Sequence, residues 1–551
     1  MATSATVSVD GVPDDVPAPD TKPEHRSWLT RSAPMLTFLG WRLLSSLLVL
    51  LGATFIVFIL LSYAVDPLEQ LRLSQDPDRD QLIYELSMRL RLDYAPPARY
   101  LMWLWDAVRG DLGVSAITGQ PVSSLLASAI PVTLTLVTAA FFLALGLGVL
   151  VGIVSALRQY TRFDYSVTLL SFVLFSLPSF WVAVLAMVWG AIGFNDFLAD
   201  PTIAWHMMLI IAVVSGVIWS AIIGGAKKVR WIAFAASFVA TIAGLLFVTN
   251  TDWLARPRLD YLGVAIIGAG AAFGLTAMMA GLQNRKALYS ALTAAGVGLL
   301  LMWPMQWVFQ PSWLEALGSP WLTLILLALS AVLVGCLIGW LFGGHDRRVS
   351  MRVAALTAVA VGGAMFIDRI MQIWPFYNSI GLINHRPIRV SGSSTPAINN
   401  VPGYDFWIST LDSATHLILP TITLTLISFA GYTRYSRASL LEVMNQDYIR
   451  TARAKGLPER VVTMRHAFRN ALIPLATIVP LDFAALLGGA IITERIFAWR
   501  GMGTLFLESM NNMDANPVMG YFLVLGTLLV LAAIAVDLVY AALDPRIRVN
   551  A

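Results

Sequence analysis

The sequence predicts an all-α, polytopic membrane protein, and three observations predict it. Of 551 residues, 57% are hydrophobic and 13% charged, whereas soluble domains carry about 45–50% apolar and about 25% charged residues. The apolar residues gather in runs of twenty or so, the helical length that crosses about 30 Å of hydrocarbon. Lys and Arg recur in alternate short loops between those runs, the pattern of a chain with one fixed orientation in a bilayer. An ordinary soluble enzyme is excluded by composition alone. The single cysteine, Cys336, lies inside an apolar run and excludes an intrachain disulfide and a Cys-based metal site.

Residues 1–35 carry Asp10, Asp14, Asp15, Asp20 and Glu24 among Val, Pro and Ala, a composition that buries too little apolar surface to fold. A disordered cytoplasmic tail is expected there. Its acidity, and the length of the run that follows, do not fit a cleaved signal peptide. Windows of 17–25 apolar residues predict spans near 43–64, 132–156, 165–190, 205–226, 231–250 and 261–281. Six more follow near 287–306, 321–343, 352–374, 417–433, 471–492 and 519–543. Arg42, Arg158, Arg162, Lys227, Lys228, Arg230, Arg285, Lys286, Arg347, Arg348, Arg546 and Arg548 all fall on one side of such a twelve-span path. Because cytoplasmic loops are rich in Lys and Arg, both termini are expected in the cytoplasm. Of the alternate loops, 191–204 carries Asp196 and Asp200 with no Lys or Arg, and 307–320 carries only Glu315.

Two loops are too long to be connectors. The external segment 65–131, with Leu101, Leu104 and Trp105, suggests short amphipathic helices forming a cap at the membrane surface. The cytoplasmic segment 434–470 is strongly basic, with Arg434, Arg437, Arg450, Arg453, Lys455, Arg460, Arg465 and Arg469 against Glu442, Asp447 and Glu459. Within it, good helix formers run from Asp447 to Lys455, Gly456 suits the left-handed position that ends a helix, and Pro458 suits the first turn of another. A helix, a sharp turn and a second helix are expected. Tyr448, Ala452 and Lys455 fall on one face of the first helix, and small Ala452 and Ala454 would let a partner approach its backbone. Composition alone also fits a plain basic loop in contact with anionic lipid headgroups.

The order of residues adds a resemblance. Asp447-Tyr-Ile-Arg-Thr-Ala-Arg-Ala-Lys-Gly-Leu457, followed by Arg465-His-Ala-Phe-Arg-Asn-Ala and Pro474, resembles the cytoplasmic signature loop of the dipeptide, oligopeptide and nickel permeases of ATP-binding-cassette importers. Thr433 to Glu442, Leu486 to Trp499, Asp537 to Tyr540, Leu543 to Arg548, Gly110 to Ser115 and the region of Pro178 are similar to the same family. The likeness covers roughly 36–192 and 404–548. Of the Glu-Ala-Ala triplet in the wider importer signature only the last Ala is kept, at Ala452, with Arg450 and Thr451 in the other places. That fits the narrower peptide branch. Arg500 stands where the family often has Pro before the Gly of an external loop, so the family's shape for that loop is not carried over.

The resemblance implies an importer-type permease core of six helices, 36–192 and 404–548, with about six extra helices inserted between core helices 3 and 4 as the block 193–403. Six is even, so the block leaves and returns on the outside and the signature loop stays cytoplasmic. An accessory bundle bracing the core is the expected role, with recruitment of a partner or shaping of the outer entrance the bolder one. Gly270 and Gly274 offer it a small-residue packing face. The resemblance further implies one transmembrane half of a peptide importer in a bacterial inner membrane. Its partners would be a second permease, two cytoplasmic ATPases, an external substrate-binding protein and membrane lipid, with no nucleic acid. Asp447, Tyr448, Arg450, Thr451, Ala452, Arg453, Ala454, Lys455, Gly456 and Leu457 would dock on an ATPase.

No phosphate-cradling Gly-x-x-x-x-Gly-Lys run, Gly-x-Ser-x-Gly or His-Glu-x-x-His occurs. No cofactor and no catalysis are therefore expected on this chain, with ATP and Mg on the partner ATPases. His25, His206, His345, His385, His416 and His466 make no metal-ligand spacing. Asp537 inside the last span reads as a structural partner to a nearby basic or hydroxyl group, and Asp368 with Arg369 as a pair or a snorkelling end. A twelve-span secondary transporter and a membrane scaffold that has lost transport remain alternatives.

Overall fold

A computed structural model describes residues 28–543 apart from Val65, Ser74 and Asp76. The acidic stretch 1–27, with His25, and the C-terminal run carrying Arg546 and Arg548 lie outside the described residues. Among those described the fold is helical, with one isolated bridge between Val114 and Pro121. Twelve of its helical segments are long and apolar enough to cross a membrane. The first, α1 (Trp28–Ala64), begins inside the segment expected to lack structure, so 28–35 are helical.

Between the first two spans lie three short helices, α2 (Glu69–Leu73), α3 (Arg79–Arg89) and α4 (Pro96–Val108). The amphipathic helices expected there are present, but the face of α4 that packs on α1 is Tyr100 and Trp103, against Phe58 and Leu61. Leu101 and Trp105 point away from the protein and are exposed. The Tyr100 hydroxyl lies 2.9 Å from Thr54 Oγ1 and donates to the Leu51 carbonyl at 3.0 Å, which fastens the cap to α1. The loop is also shorter than expected, because α5 (Val122–Leu157) starts nine residues before 131.

The third span is displaced. The run 165–190 is not one helix: α6 (Arg162–Ser176) stops where Leu177 is extended, since Pro178 disfavours helical backbone in the residue before it. The membrane segment is instead Ser179–Ala199, made of α7 (Ser179–Leu185), a π-helical stretch Ala186–Gly193 and α8 (Phe194–Ala199).

Seven helices follow: α9 (Trp205–Ile223), α10 (Lys227–Asn250), α11 (Asp260–Met279), α12 (Arg285–Val308), α13 (Pro311–Leu314), α14 (Pro320–Phe342) and α15 (Arg347–Ser379). α9 and α10 pair through Ser215, Ser237 and Thr241. α11, α12, α14 and α15 pack together, α14 so closely on α15 that a Cβ on Gly335 would lie 2.5 Å from the Ala355 Cα. The packing face of α11 is Val264, Gly268, Ala272 and Thr276, buried at four-residue intervals. Gly270 and Gly274, the expected face, have nothing within 4 Å. The composition was right and the register off by two, because several stripes on so Gly- and Ala-rich a helix look alike. Asp368 and Arg369 do not pair with each other. Asp368 accepts the backbone N–H groups of Leu259 and Asp260, at 2.8 and 3.2 Å, and the Gln372 amide, while Arg369 reaches Gln372 and lies over Trp407.

The chain closes with α16 (Phe406–Met444), α17 (Asp447–Ala454), α18 (Glu459–Val461), a π-helical turn Val462–Ala467, α19 (Phe468–Gly489), α20 (Ile491–Ile496), α21 (Met502–Asn511) and α22 (Ala515–Leu543). The broadest helix contact is between α5 and α16. A Cβ on Gly148 would meet the Tyr432 Cβ at 2.7 Å, and one on Gly152 would fall on Ser436 and the Thr433 carbonyl. α22 packs on α1 and α19, with Asp537 in an ion pair with Arg42 at 2.7 Å, the basic partner expected for it.

Overpacking at a backbone contact costs about 1–3 kcal/mol or more. Gly152→Val should therefore lower the melting temperature in detergent sharply. Gly270→Val, into open space, should leave it within error.

Candidate functional site

The site is assembled at the end of the bundle where α16 runs out. Asn445 caps α16, and after Gln446 the short helix α17 begins. Its backbone then turns through Gly456, whose φ of +71° is the left-handed conformation that glycine adopts at no steric cost. The Gly456 N–H donates to the Arg453 carbonyl at 2.9 Å and the Leu457 N–H to that of Ala452 at 3.4 Å. Pro458 sits at the cap position of α18, one residue before the expected first turn. The expected helix, turn and helix are present, but the second helix continues through the π-helical turn into α19 as one segment.

α17 is anchored by three side chains. Ile449 and Ala452 are buried with Ala156, Leu440, Val462, Ala467 and Ala471, and the Asn470 amide donates to the Tyr448 hydroxyl at 3.0 Å. Ala452 therefore does not offer its surface to a partner, and the face expected to carry Tyr448, Ala452 and Lys455 is divided. In an eight-residue amphipathic helix, the Ile449 side of the stripe wins the burial, and Ala452 lies on that side. Asp447, Tyr448, Arg450, Thr451, Arg453, Ala454, Lys455, Gly456 and Leu457 are exposed. Across the turn, Arg453 forms an ion pair with Glu459 at 2.8 Å. The guanidinium holds the Glu459 carboxyl below the usual range, and the carboxylate in turn raises Arg453.

Two arginines read as part of the basic loop belong to α16 and are committed inside the fold. Arg434 lies 4.1 Å over the Phe175 ring. Arg437 grips Asp164 with two hydrogen bonds, Nε at 2.7 Å and Nη2 at 2.9 Å. Ser155 adds a bond at 2.6 Å and the Tyr160 N–H one at 3.1 Å. Burial pushes the Asp164 carboxyl up, but these donors outweigh it and hold it below the ordinary carboxylate range. Sequence reasoning missed this pair. Its only trace was an acid in a loop otherwise rich in Arg.

A cleft of about 860 Å³ opens beside the site, bounded by Ala156, Tyr160, Met444, Arg453 and Glu459 and, from α11, by Met278. Arg158 donates to the Ala221 and Ile223 carbonyls at 2.8 and 2.7 Å, closing the last turn of α9. Both α9 and α11 thus meet the rest of the fold at this end.

The opposite end is tied by a second set of buried groups. Glu494 accepts from Thr133 at 2.6 Å and from the Thr504 N–H at 3.0 Å. The turn that carries Arg500 is shaped by Ala498 at φ +52° and by the Trp499 N–H donating to the Glu494 carbonyl. A Cβ on Gly501 would collide with Glu494 and Thr133, so Gly is needed there for space. Asp514 accepts from Ser115 at 2.5 Å, and the Asn516 amide donates to the Val114 carbonyl at 2.9 Å. The segment 380–405 docks through Ile388 on Asn195 and through Gly392 on the Phe497 carbonyl. Beneath it Asp412 accepts from Tyr377, from the Thr395 N–H and from the Thr395 hydroxyl. His416 lies beside them, its Nδ1 2.8 Å from the Asp412 carbonyl oxygen.

Residues 365–549 match the family described as "Binding-protein-dependent transport system inner membrane component". The oligopeptide transport system permease protein OppB of Mycobacterium tuberculosis is 44% identical over 144 residues, 26% of this chain and 44% of that protein. The dipeptide transport system permease protein DppB of Alkalihalophilus pseudofirmus is 37% identical over 220 residues, 39% of this chain and 65% of that protein. DppB of Escherichia coli is 44% identical over 138 residues, 25% of this chain and 41% of that protein. The chain spans less than two thirds of the length of each.

Removing one partner of a buried ion pair leaves an unmatched charge, a loss of about 3–5 kcal/mol. Arg437→Ala should accordingly destabilise the purified protein strongly in a thermal melt. Arg450→Ala, which breaks only an exposed contact with Asp447, should not.

Proposed function

We propose that this chain, whose residues 365–549 carry the inner-membrane-component domain of binding-protein-dependent transport systems, is a transmembrane subunit of an ATP-driven importer of peptides. The observation that carries the reading is the run Asp447 to Leu457, presented as an exposed helix and glycine turn on a rigidly packed base. The printed names of its relatives support peptides as the substrate class. The chain would form half of a translocation path in a bacterial inner membrane with both termini cytoplasmic. A second permease, two cytoplasmic ATPases binding ATP and Mg, and an external substrate-binding protein would complete the assembly.

Coupling in this reading is mechanical. An ATPase groove receives the exposed side of α17: Asp447, Tyr448, Arg450, Thr451, Arg453, Ala454, Lys455, Gly456 and Leu457. Ala452 serves from beneath, as part of the base. Movement of α17 passes through Ile449 and Ala452 to the start of α19, and through Arg437 of α16 to Asp164 of α6 and from its carboxylate through Ser155 to α5. The block 193–403 acts as an accessory bundle outside the six core helices, a role supported by the mutual packing of α11, α12, α14 and α15.

The test is purification of the complex from cells in mild detergent with assay of ATP hydrolysis. Ala454→Glu and Gly456→Pro should lose the co-purifying ATPases and abolish peptide uptake at normal abundance. Ala452→Glu should lower abundance itself, because it places a charge in the base. Recovery of the wild-type chain with no ATPase, or full uptake by both surface variants, would turn the reading toward a self-sufficient transporter or a scaffold.

A further inference from the structure

Several carboxylates in the helices read as spans, or at their ends, are provided for. Asp368, Asp412 and Glu494 accept from donors of their own chain, and Asp537 pairs with Arg42. Asp482, on α19, is different. Among the described residues no Lys or Arg pairs with it, and the one group beside its carboxyl is the hydroxyl of Tyr432 from α16. That phenol is 2% exposed and closes no well-formed hydrogen bond of its own. Phe141 and Phe483 pack against each other with ring centroids 4.9 Å apart, and Phe141 touches Tyr432 at 6.2 Å. An acid and the phenol that faces it thus sit at the edge of an aromatic cluster.

Depth and exposure say what this arrangement faces. Asp482 lies roughly 18 Å along the helix from Glu494 at one end and roughly 21 Å from Phe468 at the other, at 1.5 Å per residue, so it is near mid-membrane. It is half-buried, and the adjoining stripe of α19, Pro474, Leu481 and Ala485, is exposed. An ionisable group at this depth faces a protein interior or a water-filled path rather than lipid, because lipid contact would cost several kcal/mol. The exposed stripe therefore borders a polar path completed by the rest of the assembly. A carboxylate on that path, lacking a cation of its own, is matched by a cation that passes.

We propose that Asp482, with Tyr432, is a substrate contact on the translocation path that takes up the positively charged amino group of a peptide. The inference rests on the importer reading above. It adds a named binding residue and a chemical class to that reading.

The test uses the complete complex in cells, with uptake of a radiolabelled dipeptide that has a free amino terminus. Uptake by the wild type that requires this chain establishes the importer reading independently of Asp482, and its absence would overturn that reading first. Given wild-type uptake, Asp482→Asn keeps size and hydrogen bonding but removes the charge. Losing a hydrogen bond to a charged group should lower uptake about tenfold or more, with abundance, co-purification of the second permease and basal ATP hydrolysis unchanged. Asp482→Glu should restore most of it. Uptake unchanged in Asp482→Asn would overturn the proposal. Loss of the second permease from the Asp482→Asn complex would also overturn it, since Asp482 would then be pairing with a subunit rather than with substrate.

Discussion

The contact of α5 with α16 is the broadest between helices among the described residues, and α6, α17 and the start of α19 are placed against it. It depends on two absent side chains, at Gly148 and Gly152, and on one buried ion pair, Asp164 with Arg437. The glycines let the backbones touch, which fixes the distance between the helices. The ion pair joins α16 to α6, and the same carboxylate accepts from the Ser155 hydroxyl of α5, so one buried group ties the three helices together. Without a hydrophobic drive between helices in lipid, close backbone packing and satisfied polar groups carry helix association. α17 rests on the base formed where α5, α16 and the start of α19 meet, so the placement of its exposed face follows from that of this contact.

Much of this was legible in the sequence, and the failures share a physical cause. Each span announces itself because its partner is lipid, and an apolar run is a local signal. The signature around Gly456 was likewise local, since a left-handed turn demands glycine wherever the chain goes next. What could not be read were groups whose partners are remote. Asp164 meets Arg437 across 273 positions, Glu494 meets Thr133 across 361 and Asp514 meets Ser115 across 399. No periodicity connects such pairs. Register failed for a similar reason: Gly270 and Gly268 are chemically the same, and only the remote neighbours Val361 and Ala295 decide which is used. At Ala452 small size suggested approach by a partner, whereas the chain's own core had taken the space.

The two polar layers lie at opposite ends of the bundle and differ in character. At one end Asp164 is matched by a full positive charge. At the other, Glu494 and Asp412 are held by hydroxyls and backbone N–H groups, which orient a carboxylate without neutralising it. An ion pair resists separation strongly, while a set of neutral donors can be exchanged for others at smaller cost. The end beside α17 is thus held by a charge pair, and the far end, with its docked segment 380–405, by neutral donors.

The length of α16 has a consequence for how the protein meets a soluble neighbour. Its 39 residues extend roughly 58 Å, against a hydrocarbon thickness of about 30 Å, and an ordinary tilt of about 20° removes little of the excess. The excess is shared by the two polar ends of the helix, one of which leads into α17. Under the importer reading proposed above, an ATPase docked on α17 would stand off from the bilayer and take its orientation from contacts with protein rather than with lipid.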